Sequence, residues 1–170
     1  MNVQVQTLKA DIRADLEAIA NIYLALHRYD ANSLDDEQVI IVAYYLHNLY
    51  SAFESIFQHI AMVFGNQISD QAGWHAELLR HMTLDIEGIR PRVISETAYD
   101  ALDELRRFRH VFRSAYRARL DAERLDLVRR EAQALEQAYR DEIEGFLAFL
   151  DSLKQADTQP PVGSHGEEAG

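Results

Sequence analysis

"LDDEQVIIVAYYLHNLYSAFESIFQHIAMVF", Leu34 to Phe64, contains no proline and no glycine, and its apolar residues follow a helical period. Val39 to Ala43, Leu46, Leu49, Tyr50, Phe53, Ile56, Phe57, Ile60 and Val63 cover more than one face of that helix. A surface helix shows one apolar stripe, so this one belongs at the centre of a bundle. At 1.5 Å per residue it would be roughly 45 Å long. Ser33 can cap its start, and Asp35, Asp36 and Glu37 suit the positive end of a helix.

A central helix needs partners, and the flanking sequence supplies them. From about Thr7 to about Arg28, Leu8, Ile12, Leu16, Ile19, Tyr23 and Leu26 recur at spacings of three and four. After "GNQISDQAG", a short helix can start at Ser69 or Asp70 and run through "WHAELLRHM". Pro91 breaks the next segment, and Ser95 with Glu96 opens a fourth helix whose expected buried stripe is Ala98, Leu102, Leu105, Phe108, Phe112 and Ala115. A turn near Arg119 to Ala122 leads to a fifth helix, about Glu123 to Lys154. There Leu127, Ala134, Ala138, Ile143, Phe146, Leu147 and Leu150 are expected to close the bundle. Residues 1–156 thus read as one all-α domain of about five helices. Residues 157–170, "DTQPPVGSHGEEAG", are rich in Pro, Gly and acid and read as a disordered tail.

Composition narrows the function. A chain of 170 residues, 48% hydrophobic, can bury one continuous core. It has no cysteine, which excludes disulfides, thiolate nucleophiles and Cys-ligated metal centres. The N-terminus has no leader pattern and no apolar run reaches the ~20 residues that span a bilayer, so a cytoplasmic protein without membrane contact is expected. With 28 acidic against 17 basic residues the net charge is −11, which argues against a general nucleic-acid coat. Any contact with RNA must be local.

One basic stretch stands out against that charge: "RRFRHVFRSAY", Arg106 to Tyr116. Arg109, Arg113 and Tyr116 lie at i, i+4 and i+7, on one face, with Phe108 and Phe112 on another. By periodicity alone the simpler account is a wetted helix whose arginines pair with Asp100, Asp103 and Glu104. Ser114 in such a helix points at water or bonds back to a carbonyl one turn earlier.

The same residues carry a resemblance. "GWHAELLRHM…IRPRVISETAYDALDELRRFRHVFRSAY" resembles the HepT-like branch of the HEPN superfamily of all-helical ribonuclease toxins, across roughly Tyr44 to Tyr116 and more loosely to the end of the fifth helix. The family motif is Arg-x4-His-x-Tyr; here Arg109 and Tyr116 match, and Ser114 stands at the histidine position. The resemblance implies a HEPN-type antiparallel bundle, a homodimer, and a metal-independent endoribonuclease needing no cofactor. Its composite cleft would form where two fourth helices meet. Arg109 would hold the scissile phosphate, with Arg106, Arg113 and His110 contacting RNA, because guanidinium is a bidentate phosphate fork. The motif histidine would move the 2′-hydroxyl proton, giving a cyclic phosphate end.

Ser114 is a departure, since its hydroxyl is not basic at pH 7. His110 takes the polar position of the motif, next to Arg109. Ser114 is read either as a natural loss of activity or as a deliberate substitution that makes a toxic ribonuclease safe to express, and the intact surroundings favour the second. The resemblance also implies a partner, an MntA-like minimal nucleotidyltransferase antitoxin that transfers AMP to Tyr116 within a type VII toxin–antitoxin system. AMP beside Arg109 would block the cleft by bulk and charge. The chain has no glycine-rich nucleotide loop, so the partner would bind the ATP. His47, His75 and His81 match no metal-ligand spacing, and no metal site is assigned; His47 reads as a hydrogen-bonded core or interface residue and Trp74 as a packing anchor. The competing reading is a non-catalytic dimeric adaptor that binds a nucleotidyltransferase partner or RNA.

Overall fold

The computed structural model describes residues 2–29, 34–65, 73–114 and 121–156. Among these the chain forms five helices: α1 (Asn2–Leu26), α2 (Asp36–Val63), α3 (Trp74–His81), α4 (Glu96–Ser114) and α5 (Ala122–Ala156). No strand forms among the described residues, and the one bridge, Ile86 to Arg90, belongs to the turn between α3 and α4. The expected all-α fold is therefore what forms, a helical bundle compatible with the HEPN type. The tail at 157–170, Ser33, Ser69, Asp70, Ala115, Tyr116 and Arg119 lie outside the described residues.

α2 packs against all four other helices, as its many-sided apolar surface requires. Val42, Ala43, Leu46, Leu49, Tyr50, Phe53, Ile56, Phe57 and Ile60 are buried, while Ile40, Ile41 and Tyr44 at its first turns are exposed. Asp35 caps the helix: its carboxylate accepts from the Gln38 amide at 2.8 Å while the Gln38 side chain accepts from the Asp35 amide at 3.0 Å. This reciprocal pair satisfies two of the free donors at a helix start.

Side-chain pairs fix the directions of the helices. Lys9 meets Asp151 and the Tyr23 hydroxyl donates to the Ala132 carbonyl at 2.8 Å, so α1 and α5 run antiparallel. Arg124 meets Glu104 at 2.8 Å, and the Ser95 hydroxyl donates to Glu142 at 2.5 Å, so α4 and α5 do too. Ser95 also caps α4, accepting from the Ala98 amide at 3.2 Å.

Two expectations need correction. α1 begins at Asn2 rather than Thr7, which adds Val5 to the buried stripe. In α5 Leu127, Ala134 and Ala138 are exposed, and the core is instead closed by Leu125, Val128, Ala132, Leu135 and Tyr139, joining the expected Ile143, Phe146, Leu147 and Leu150. Tyr139 determines that register. It stacks on Tyr23 and sets its edge against Phe53, and the burial of so large a ring outweighs that of two alanines.

Between α3 and α4 the turn is tight. Gly88 takes a positive φ of 72°, and the Arg90 guanidinium donates to the carbonyls of His81, Leu84 and Pro91. Those bonds tie the end of α3 to the turn that leads into α4, and both helices pack on α2.

Candidate functional site

The basic stretch of α4 sorts its arginines by partner. Arg106 meets Asp103 at 2.7 Å, and Arg107 meets Asp103 at 2.7 Å and Glu104 at 3.4 Å. For these two the expected local ion pairs form, although the shared partner Asp103 is buried rather than wetted. Arg109 departs from that pattern: its Nη1 donates to Glu54 of α2 at 2.6 Å, and its guanidinium lies 5.6 Å from the centre of the Tyr50 ring. Its side chain is only 18% exposed, so it is a half-buried anchor rather than a residue on an open ridge. Arg113 is exposed and has no carboxylate partner among the described residues.

Glu54 is the group that organises this end of the bundle. Its side chain is 5% exposed. One oxygen takes the Arg109 bond and the other meets Nδ1 of His75 on α3. A buried carboxylate is retained where charge-assisted bonds satisfy it. The Tyr50 hydroxyl is pushed up, by burial first and by the Glu54 charge second, so it stays protonated beside that carboxylate. His75 is held on its other side by Trp74, with ring centres 3.8 Å apart.

These groups open onto a cleft of about 400 Å³ lined by His75, Arg106, Arg109, His110, Arg113 and Ser114. Three arginines at one opening make a local positive site on an acidic protein. The Ser114 hydroxyl donates to the His110 carbonyl at 2.9 Å, the back-bond expected of a serine in a helix. Behind the cleft, the His47 ring lies 5.4 Å from Phe112. Burial, and then the charges of Arg109 and Arg113, lower its pKa and keep it neutral. His47 Nδ1 has no hydrogen-bond partner among the described residues. Phe112 is only partly buried, packed on His47 and Phe108, so the apolar stripe of α4 fades towards the cleft.

The cleft thus unites Arg106, Arg109, His110, Arg113 and Ser114, the cluster expected from the motif. Tyr116 lies outside the described residues. Glu54 and His75 were missed as site residues because they lie 55 and 34 positions from Arg109 in the chain. A signal for one was present: Glu54 is the only Asp, Glu, Lys or Arg between Val39 and Val63. A lone acid in so apolar a helix needs a partner. For His75 the sequence carries no comparable signal.

An all-helical bundle that holds one arginine of a basic helix by a buried glutamate, and opens three arginines on a cleft, defines the class. The family model described as "HepT-like protein" matches residues 41–150, well over half of the chain, including α3, α4 and most of α2 and α5. The chain therefore belongs to the HepT-like family, within the HEPN superfamily, and is toxin-like in that general sense. Members of the family are typically homodimers and halves of toxin–antitoxin pairs. No curated protein and no solved structure matched the chain. No helix among the described residues is long and apolar enough to cross a membrane.

Proposed function

We propose that this chain is the toxin half of a HepT/MntA-like type VII toxin–antitoxin pair, and that its arginine cleft holds the phosphodiester of an RNA strand. The observation that carries this reading is the motif arginine itself. Arg109 stands in the cleft, fixed by Glu54 and the Tyr50 ring, with Arg113 beside it unpaired among the described residues. A fixed guanidinium contributes positioning and charge to a phosphate at little ordering cost.

In this reading the cleavage is metal-independent and leaves a cyclic phosphate, and two copies of α4 complete the site in a homodimer. Position 114 would supply the base. Ser114 cannot, being non-basic and bonded to the His110 carbonyl. Loss of general acid–base help typically costs about 10²–10⁴-fold. Tyr116, two residues further along, is the acceptor for AMP from the nucleotidyltransferase antitoxin, and the added phosphate would compete with RNA for the arginines.

The test is RNA cleavage by the chain and by Ser114→His, with and without EDTA. The reading expects Ser114→His to cut about 10²–10⁴-fold faster, insensitive to EDTA, and Arg113→Ala in that background to weaken RNA binding. An adaptor would bind without cutting in either form. Ser114→His that folds, dimerises and leaves RNA intact would contradict the ribonuclease reading.

A further inference from the structure

We infer that His75 moves a proton at the cleft, standing in for the histidine that position 114 lacks. The inference rests on the RNA-cleft reading above and extends it to a residue of another helix. The geometry begins at Glu54, where one carboxylate holds both Arg109, at 2.6 Å, and the His75 ring. The group that would grip the phosphate and the group that would move the proton are therefore fixed to the two oxygens of one buried side chain.

That carboxylate also sets the tautomer. A Glu54 carboxylate paired with the Arg109 guanidinium accepts hydrogen bonds and donates none. The bond to His75 must then be donated by Nδ1–H, which leaves Nε2 as the lone-pair nitrogen of the neutral ring. Nε2 has no hydrogen-bond partner among the described residues. A buried carboxylate orienting an imidazole whose far nitrogen is free is the arrangement by which a histidine serves as base. The exposures agree with it: Glu54 is 5% exposed and His75 33%, an enclosed orienting group behind a ring that lines the cleft. Trp74, stacked on that ring, restrains its tilt.

The other histidines at this end lack these features. His110 is exposed and has no carboxylate partner among the described residues. His47 packs on Phe112 and does not line the cleft.

With RNA bound, Nε2 takes the proton of the ribose 2′-hydroxyl. The 2′ oxygen bonds to phosphorus, and the bond from phosphorus to the 5′ oxygen breaks. The leaving oxygen takes a proton from water and the hydroxide so formed takes the proton from Nε2, so the products are a 2′,3′-cyclic phosphate and a 5′-hydroxyl, with the ring neutral again. Arg109 and Arg113 balance the charge on the phosphate.

The experiment compares the full-length chain, His75→Gln, His75→Ala and Ser114→His for cleavage of a labelled single-stranded RNA and for its binding by fluorescence anisotropy. The expected result is slow cleavage by the chain that falls about 10²–10⁴-fold in His75→Gln with binding changed less than about threefold. Added imidazole should restore cleavage in His75→Ala. Glutamine can still donate to Glu54, so a fold held only by that bond survives. Cleavage by His75→Gln at the parent rate overturns the inference. So does binding without cleavage by the parent while Ser114→His cuts, an outcome that leaves the ribonuclease reading standing. Absence of both binding and cleavage in every form would overturn the two together.

Discussion

Phe53 and Glu54 are neighbours on α2, both almost fully enclosed, and they face different parts of the molecule. Phe53 sets its ring against Phe57 and the edge of Tyr139, in a region of aromatic and aliphatic contacts shared with α1 and α5. Glu54 turns the other way, to Arg109 on α4 and His75 on α3. One face of the helix is stabilised by removing apolar surface from water, the other by satisfying charge with charge. The difference teaches where function can reside. The dry face holds the bundle together and offers no chemistry. The polar face contributes little net stability, since desolvation offsets its ion pairs, but it holds cations and a histidine in fixed places.

Truncating each neighbour in turn separates the two faces. Phe53→Ala should cost about 3–5 kcal/mol in urea unfolding, with RNA binding by the folded fraction unchanged. Glu54→Gln should cost less, about 1–3 kcal/mol, because glutamine keeps the shape and one acceptor. That variant should nonetheless weaken RNA binding, as Arg109 loses its anchor. A Glu54→Gln protein that binds RNA as the parent does would show that the polar face is structural as well.

The smallest effect concerns His47, which borders both regions. Its folded pKa lies below the unfolded value of about 6.5, through burial and then Arg109 and Arg113. Below that value the unfolded chain binds the proton more readily, so stability falls as pH drops through about 6.5 and the loss is complete below the folded pKa. His47→Gln should flatten the change in urea midpoint between pH 7.5 and 5.5. An equal slope in both proteins would assign the acid sensitivity elsewhere.

Helices with one clear stripe were legible in the sequence. The α1 residues from Leu8 to Leu26 are buried as their spacing demands, and α2 and α4 begin within two residues of the expected starts. α5 was legible as a helix but misread in register over its first half, because small apolar residues at Ala134 and Ala138 mimic a stripe that Tyr139 overrides. The motif cluster on α4 was legible for a similar reason, since five residues on one helix reach the cleft through local geometry. Its supports were not. The spacing put Arg109 on one face of a wetted helix, with Asp100, Asp103 and Glu104 as the expected partners of its arginines. Arg109 bonds instead to Glu54, so Arg109→Ala strands a buried carboxylate. Contacts between helices depend on packing angles and turns such as the one Arg90 ties, and neither is written in a spacing.

The central claim is that the cleft between α3 and α4 is where RNA meets this protein. Its most direct test is titration of a single-stranded RNA into the isotope-labelled chain, followed through the arginine guanidinium and histidine ring signals. The account predicts that Arg109, Arg113, His110 and His75 shift together at one RNA concentration, while Arg13 and His27 on the α1 side stay still. RNA that binds while those four signals remain unmoved, or no binding at all, would contradict it.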